Sequence, residues 1–211
     1  REDGGDWRRV SYGQMLDSVR AIAQGLLGYG LSADKPLALL SGNDIEHLQL
    51  ALGAMYAGIP YCPVSPAYSL LSQDFAKLRH VCDLLQPGLV FVSDAGAYQR
   101  AIDAVLPPET PLICVRGQVP GRRQASFASL LAEPGAAEAD AAFAATGPDS
   151  IAKFLFTSGS TKLPKAVITT QRMLCANQQM LLQTFPVFGE EPPVLVDWLP
   201  WNHTFGGSHN V

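Results

Sequence analysis

Residues 156–165 read FTSGSTKLPK and place four hydroxyl side chains, one glycine and two lysines between apolar stretches. The apolar residues 151–156 and 166–168 are typical of strands, so the polar segment is predicted to be the loop that joins them. Backbone N–H groups of a glycine-containing turn and side-chain hydroxyls can converge on phosphate oxygens, and an ammonium can neutralise their charge. Residues 157–165, called the anion loop from here on, are therefore predicted to bind a phosphorylated ligand.

Lys165 is expected to dominate the affinity of the anion loop. A lysine at about 4 Å from one phosphate charge gains up to roughly 4 kcal/mol at an effective dielectric near 20. An ordinary neutral hydrogen bond contributes about 1 kcal/mol. For TSGST alone, a plain hydrophilic turn would be the simpler interpretation. Lysine and proline at fixed offsets, with apolar strands on both sides, make the whole segment far more specific.

The anion loop does not follow the nucleotide-binding pattern GxxxxGK[ST], because Pro164 and not a second glycine precedes Lys165. Pro164 fixes the backbone ahead of Lys165 and removes one N–H donor. That geometry differs from a loop that wraps a phosphate and opens a helix. A Walker-type NTPase is therefore disfavoured.

The composition limits the class of protein. With 211 residues, 47% of them hydrophobic and 16% charged, the chain can bury a core of ordinary globular size. No apolar run approaches the roughly 18 residues of a membrane span, and the first residues lack the apolar core of a signal peptide. The net charge of −4 leaves no basic face. We expect a cytoplasmic protein that binds neither membranes nor nucleic acid.

The cysteines suggest neither a disulfide framework nor a metal site. They are widely spaced, and no two form a CxxC pair: Cys62, Cys82, Cys114 and Cys175. We expect reduced, partly buried thiols.

Strands are predicted to alternate with helices. The predicted strands are 36–40, 89–92, 112–115, 151–156, 166–169 and 194–199. One predicted helix is capped by Ser11, and its apolar face carries Leu16, Val19, Ala23 and Leu26. A second is capped by Asn43 or Asp44, and its apolar face carries Ile45, Leu48, Leu52 and Met55. Further helices are predicted at 72–85, 95–106 and 171–183. Strands that are apolar on both faces imply parallel pairing under two helical layers, so an α/β fold with a doubly wound sheet is predicted.

The predicted organisation has three parts. Residues 1–116 form a first α/β subdomain, residues 117–150 a surface connection with a short helix at 127–131, and residues 151–211 the start of a second subdomain. The chain stops directly after a distinctive motif, so we expect a piece of a longer protein.

Three motifs resemble those of the adenylate-forming superfamily, which comprises acyl- and aryl-CoA synthetases, luciferases and the adenylation domains of peptide synthetases. Residues 157–167 match its pattern [ST]SG[ST]TGxPKxV with one departure, Lys162 in place of glycine. WLPWNHTFGG at 198–207 resembles a later motif, and GIPYCPVSPAYS at 58–69 resembles an earlier one. The sequence DWLPWNHTFGGSHN, together with TTQRML after the loop, looks most like that of bacterial feruloyl-CoA synthases.

The resemblance implies the N-terminal part of an adenylate-forming enzyme, with mostly parallel sheets flanked by helices. Such an enzyme activates a carboxylic acid, here ferulate or a related hydroxycinnamate, with ATP and Mg²⁺, and CoA thiol then attacks the acyl-adenylate. It also implies which residues hold the β and γ phosphates: Thr157, Ser158, Gly159, Ser160, Thr161 and Lys165. His203 matches the position beside the substrate carboxylate. The family's adenine, ribose and Mg²⁺ segments and its C-terminal lysine lie beyond the matched region, so this chain alone is expected to be catalytically silent.

Several alternatives stay open at this stage. The whole protein could be another acyl- or aryl-acid ligase, a domain that loads a carrier protein, or a noncatalytic ATP-binding module, and the oligomeric state is undetermined. His47 and His80 are predicted to face solvent and His209 to be structural. Trp198 and Trp201 are expected either to line an aromatic acid pocket or to pack in the core.

Overall fold

The computed structural model describes residues 6–133, 135–157, 163–191 and 193–209. Seven strands lie in these residues: β1 (Leu37–Leu40), β2 (Tyr61–Pro63), β3 (Leu89–Asp94), β4 (Leu112–Arg116), β5 (Gln124–Ser126), β6 (Ile151–Thr157) and β7 (Lys165–Thr170). The helices are α1 (Tyr12–Leu27), α2 (Ile45–Tyr56), α3 (Ala67–Leu70), α4 (Ala76–Leu85), α5 (Ala95–Val105), α6 (Phe127–Leu131), α7 (Ala137–Ala145), α8 (Gln171–Thr184), α9 (Val187–Glu190) and α10 (Thr204–His209).

The strands form one sheet in the order β5-β4-β3-β1-β2-β6-β7. Every neighbouring pair is parallel except β6 and β7, which are antiparallel. The central strand β1 is buried along its whole length, as expected for a parallel sheet covered by helices on both faces. The predicted α/β fold with a mostly parallel sheet is thus confirmed.

Two apolar clusters cover the two faces of the sheet. One contains residues from α4 and α5, including Leu78 and Ile102, and the other contains residues from α1 and α2, including Ile22 and Leu50. Side chains alternate between the faces of a strand, so neighbouring β3 residues divide between the clusters: Val90 lies in the first and Phe91 in the second.

Helix α1 begins at the predicted cap. The Ser11 hydroxyl accepts a hydrogen bond from Gln14 N while the Gln14 side chain accepts one from Ser11 N, which makes a capping box. Val19, Ala23 and Leu26 are buried as predicted, whereas Leu16 is 52% exposed, contrary to the prediction.

Helix α2 begins at Asp44, whose carboxylate accepts a hydrogen bond from His47 N at 2.7 Å. Its apolar face was predicted wrongly. The residues assigned to it are only partly buried: Ile45, Leu48, Leu52 and Met55. The fully buried side includes Leu50 and Ala54 together with Gly53, where an added Cβ would lie 2.6 Å from Ile22 Cγ2. Close approach to α1 at this glycine therefore fixes which side of α2 is buried.

Three other segments differ from the prediction. Residues 61–63 are a buried strand that was not among the predicted strands. Helix α4 begins at Ala76, later than predicted, because Phe75 takes a left-handed conformation with φ of 53°. Residues 193–198 have no regular structure, and Val194 is 96% exposed, so the strand predicted at 194–199 is wrong.

Residues 117–150 contain more structure than the predicted surface connection. They supply β5 and α7 as well as the predicted short helix α6. Val119, Phe127 and Ala139 are buried, and Arg20 Nε donates to Asp140 Oδ1 at 2.9 Å, which joins α7 to α1. The division of the chain into two subdomains stays a prediction.

The cysteines are free, as predicted. Cys62 and Cys114 are buried, Cys82 is partly buried and Cys175 is exposed.

Candidate functional site

The described ends of the anion loop are held by the β6–β7 hairpin. Thr157 and Lys165 are the last paired residues of the two strands, and Thr157 Oγ1 lies 3.5 Å from the Lys165 carbonyl oxygen. Thr157 is partly buried and Lys165 is exposed. The other predicted phosphate ligands, Ser158, Gly159, Ser160 and Thr161, lie outside the described residues, as does Lys162.

The loop lies at the carboxyl edge of the parallel sheet. Strand β6 runs parallel to β2, and β2 runs parallel to β1, so residues after β6 and residues after β1 emerge at the same edge. In open α/β sheets this edge is where ligands bind.

His80 of α4 contacts the far end of the anion loop. Its Nε2 lies 2.9 Å from the carbonyl oxygen of Pro164. Pro164 is a buried residue. His80 is partly buried, so the prediction that it faces solvent is wrong. The contact joins α4 to the residue directly before Lys165.

Residues 197–207, called the histidine segment from here on, form a turn followed by α10. His203 N donates to Pro200 O at 3.0 Å, and Gly207 N donates to His203 O at 2.8 Å. Phe205 N donates to His203 Nδ1 at 3.3 Å. His203 is exposed. The described backbone therefore presents the imidazole at the start of α10.

The paired glycines of the histidine segment allow α10 to fold back on the turn. A Cβ at Gly206 would overlap the Pro200 carbonyl oxygen and lie 3.0 Å from Leu199 Cβ. A Cβ at Gly207 would overlap the Trp201 carbonyl oxygen. Both glycines are buried. The motif thus needs glycine at these positions for close backbone packing.

Asn43, in the loop after β1, holds the turn of the histidine segment. Its Nδ2 donates to Leu199 O at 2.7 Å, and its Oδ1 accepts from Trp201 N at 3.0 Å. The sequence suggested Asn43 only as an alternative helix cap, and Asp44 fills that role. Both partners lie more than 150 positions away in the chain, so no local pattern could reveal the contact.

Lys153 of β6 attaches α10 to the sheet. Its side chain is fully buried, and its Nζ donates to the Gly207 carbonyl oxygen. The ammonium lies 5.9 Å from the centroid of the Tyr61 ring. Burial disfavours the charged form and lowers the pKa of Lys153 to about 8. Sequence analysis missed this residue, although a lysine inside an otherwise apolar strand was the available signal.

His47 of α2 is buried, so the prediction that it faces solvent is also wrong. Its Nδ1 lies 2.7 Å from Ser41 Oγ, and its ring packs edge-on against Trp201 with 5.3 Å between centroids. Burial lowers the pKa of His47 to about 4; a hydrogen bond from the ring to the Gly42 backbone carbonyl opposes the shift, and the charge of Lys153 adds to it. His47 is therefore neutral near pH 7.

The two tryptophans differ. Trp201 is partly buried, against His47, and its Nε1 donates to Asp197 Oδ2. Trp198 is 79% exposed, so it does not pack in the core of the described residues. For His209, the structure shows only its backbone at the end of α10.

An apolar groove of about 1130 Å³ lies elsewhere, between α1, α2, α7 and α8. Tyr12, Leu16 and Phe143 are among the residues that line it, whereas Thr157, Lys165 and His203 are not. We assign no chemistry to it.

The described part of the chain holds neither a metal-binding cluster nor a membrane-spanning helix. It contains no cluster of three or more histidine, cysteine, aspartate or glutamate side chains suited to a metal ion. None of its helices is long and apolar enough to cross a membrane.

Residues 2–211 match the family described as AMP-binding enzyme. The chain is 27% identical over 204 residues to a 3-[(3aS,4S,7aS)-7a-methyl-1,5-dioxo-octahydro-1H-inden-4-yl]propanoyl:CoA ligase from Rhodococcus jostii, covering 94% of this chain and 39% of that protein.

Two solved structures share the fold. One is ATP-bound MatB from Rhodopseudomonas palustris, with a TM-score of 0.68, 25% identity, and coverage of 98% of this chain and 38% of that one. The other comes from work on fatty acyl-adenylate ligases of E. coli and L. pneumophila, with a TM-score of 0.71, 25% identity, and coverage of 97% and 33%. The chain thus spans less than two fifths of the length of these three relatives.

Proposed function

We propose a function from one premise: this chain belongs to the AMP-binding enzyme family. The whole protein is proposed to be an acid–thiol ligase that activates a carboxylic acid with ATP, releases pyrophosphate, and passes the acyl group from the acyl-adenylate to CoA. The chain described here would supply the phosphate-binding loop and the histidine of that site. The relatives that are CoA ligases and the ATP-bound structural relative support the proposal.

The observation that carries the proposal is the shared position of the two motifs. The anion loop follows β6 at the carboxyl edge of the sheet, and Asn43 attaches the histidine segment to the loop after β1 at the same edge. A site for acyl transfer to AMP needs groups near the departing pyrophosphate and near the carboxylate. The two motifs supply one set each.

The proposed roles follow from the chemistry of the side chains. A carboxylate is a poor electrophile, and transfer to AMP gives it a good leaving group. Lys165 would stabilise the charge that builds up on the pyrophosphate, and the hydroxyl and backbone N–H groups of Thr157, Ser158, Gly159, Ser160 and Thr161 would hold its oxygens. His203 would orient the carboxylate as a hydrogen-bonding group at the start of α10.

Mg²⁺ is part of the proposed reaction, but the anion loop offers it few suitable ligands. The anion loop contains hydroxyls and lysines and no carboxylate, and Mg²⁺ prefers carboxylates and phosphate oxygens. The loop therefore suits the phosphates. The ion would be held in part by those phosphates.

Ferulate or a related hydroxycinnamate is the proposed acid, on the resemblance of the histidine segment and of TTQRML to feruloyl-CoA synthases. The alternatives are another acyl or aryl acid, a carrier-protein thiol in place of CoA, and a noncatalytic ATP-binding module. The Rhodococcus jostii ligase and the fatty acyl-adenylate ligases are named for different acids, so they do not favour one acid over another. A cytoplasmic location remains part of the proposal.

Replacing Lys165 with alanine tests the phosphate site in the intact protein. The lost charge contact of about 2–4 kcal/mol predicts a roughly 30- to 1,000-fold fall in kcat/KM for ATP. Folding should change little, because Lys165 is exposed. ATP–pyrophosphate exchange and thermal melting are measured together.

Lys35→Ala is the matched control, because Lys35 lies before β1, at the opposite edge of the sheet. Unchanged exchange in Lys165→Ala would remove Lys165 from the phosphate site. ATP binding without any acid-dependent exchange, even in the unmodified protein, would favour the binding module.

The choice of acid is tested by thioester formation with ferulate, benzoate and octanoate. The proposal expects the highest kcat/KM for ferulate with CoA as acceptor. A clear preference for octanoate would overturn the ferulate assignment and leave the adenylation chemistry in place. Adenylate formation without transfer to CoA would favour a carrier-protein acceptor.

A further inference from the structure

We propose that Asn43 and Lys153 are positioning residues that hold the histidine segment in the place from which His203 acts. The inference rests on the proposed function. The segment is attached on both sides of His203: Asn43 binds the turn before it, and Lys153 binds α10 after it.

The Asn43 contact uses both ends of one amide. The side-chain Nδ2 of Asn43 donates to the backbone carbonyl of Leu199, and the side-chain Oδ1 accepts from the backbone N–H of Trp201. A flipped amide would set donor against donor and acceptor against acceptor, so only one orientation fits. The two bonds bracket Pro200, whose carbonyl accepts from His203 N. Asn43 therefore holds the turn at residues 199–201, and this turn holds the backbone of His203 through the bond to Pro200.

The Lys153 contact fixes the other side. A buried ammonium is costly unless it donates hydrogen bonds, and the Gly207 carbonyl supplies an acceptor. Gly207 N donates to His203 O, so Gly207 is hydrogen-bonded both to Lys153 of β6 and to His203. Since a Cβ at Gly207 would overlap the Trp201 carbonyl oxygen, α10 lies directly against the turn that Asn43 holds.

The histidine side chain depends on these attachments. His203 is exposed, and its hydrogen bonds within the described residues are to backbone groups of its own segment. The segment itself has no regular structure before α10. Loss of either attachment should let the imidazole shift relative to the anion loop, and a shift of about 1 Å can lower a rate by up to roughly 100-fold.

The test compares Asn43→Ala and Lys153→Met with Gln124→Ala in the intact protein. Gln124 is a matched control, because its amide also makes two bonds to backbone groups, with Val119 N at 2.9 Å and Val119 O at 3.0 Å. Gln124 lies on β5, at the far end of the sheet from β6. Two readouts are used: hydrogen exchange of the backbone amides in residues 199–207, and the kinetics of acid-dependent ATP–pyrophosphate exchange.

Asn43→Ala should speed amide exchange in residues 199–207 by about 5- to 30-fold, the effect of one or two lost hydrogen bonds. It should also lower kcat by about 10- to 100-fold while leaving the KM for ATP within about twofold. Lys153→Met should act in the same direction, and Gln124→Ala should change neither quantity. Asn43 is exposed, so Asn43→Ala is expected to fold even if Lys153→Met does not.

Two results would overturn the proposal. One is an amide exchange rate in residues 199–207 that is the same in Asn43→Ala and Gln124→Ala. The other is faster amide exchange with an unchanged kcat, since the residues would then hold the segment without positioning the reaction. An unmodified protein that activates no acid would refute the proposed function instead, and the amide exchange comparison would still decide whether the two residues hold the segment.

Discussion

Replacing the buried Lys153 with methionine should change how the stability of the protein depends on pH. The pKa of Lys153 is lowered by burial from 10.5 to about 8. In the folded protein the ammonium therefore loses its proton near pH 8, whereas in the unfolded chain it keeps the proton until about pH 10.5. Between these values the unfolded state binds more protons, so the contribution of Lys153 to the free energy of unfolding rises with pH.

The size of this contribution follows from the shift. One pKa unit corresponds to 1.36 kcal/mol, so a shift of about 2.5 units gives at most about 3 kcal/mol. Below pH 8 the folded protein carries the whole cost of the buried charge, and by about pH 10.5 the cost is gone. Methionine has a similar length and no charge, so Lys153→Met removes the dependence. A buried charge replaced by an apolar side chain of similar volume is often tolerated.

The assay is urea unfolding of the intact protein and of Lys153→Met at about pH 7, 8.5 and 10.5, with the stability difference between the two plotted against pH. The difference is needed because other groups titrate in this range. Burial raises the pKa of Cys62, and it raises that of Cys82 to about 12, so both thiols lower stability as pH rises above 9. Both are present in the two proteins and cancel.

The stability of the unmodified protein relative to Lys153→Met should rise by about 1–3 kcal/mol from pH 7 to 10.5. A difference that is flat or falls over this range would refute the reasoning, because it would show that the ammonium is not held at a lowered pKa. The control is Lys35→Met, which changes a lysine in the exposed turn before β1 and should give a flat difference.

Two further predictions concern α1 and α2. The ring of His47 should stay neutral down to about pH 4, and the free energy of unfolding should fall as pH drops from 6.5 towards 4, because the unfolded chain binds the proton more readily. NMR titration of the ring, with the signal assigned by means of His47→Gln, checks this. A titration midpoint near pH 6.5 would contradict it. Gly53→Ala should destabilise by about 1–3 kcal/mol, because its Cβ would meet Ile22. Gly13→Ala in α1, whose Cβ would meet only Ser11 Oγ at an ordinary contact distance of 3.9 Å, should be neutral or stabilising by up to about 1 kcal/mol. Equal melting temperatures for the two variants would contradict the packing argument.

Much of the fold could be predicted because the deciding signals are local. The apolar runs of β1, β3 and β4 and the cap at Ser11 each lie within a few residues. The buried side of α2 was not predictable in this way. Leucines and small residues lie on several sides of this helix, and Gly53 selects one side only through its contact with Ile22 on another helix. The run at 194–199 has a strand-like composition, but no described strand pairs with it.

The candidate site shows the same limit. The anion loop could be found from residue types and spacing, and His203 from the resemblance of its segment to the family's motif, although their roles stay proposals. Asn43, His47 and Lys153 were missed or misjudged because their partners are far away in the chain: Asn43 meets Leu199, His47 packs on Trp201, and Lys153 meets Gly207. Contacts across such separations depend on the order of strands in the sheet, which residue spacing does not specify.

The antiparallel pairing of β6 and β7 also bears on the order of events during folding. The two strands are neighbours in the chain and close a short loop, so their hairpin costs little loop entropy and can form within about 1–10 μs. The pairing of β6 with β2 instead joins Tyr61 to Lys153, roughly ninety positions apart, and such long-range parallel pairing is slow. We therefore expect the β6–β7 hairpin to form before the rest of the sheet is assembled, so the nascent chain would dock a preformed hairpin onto β2 through β6.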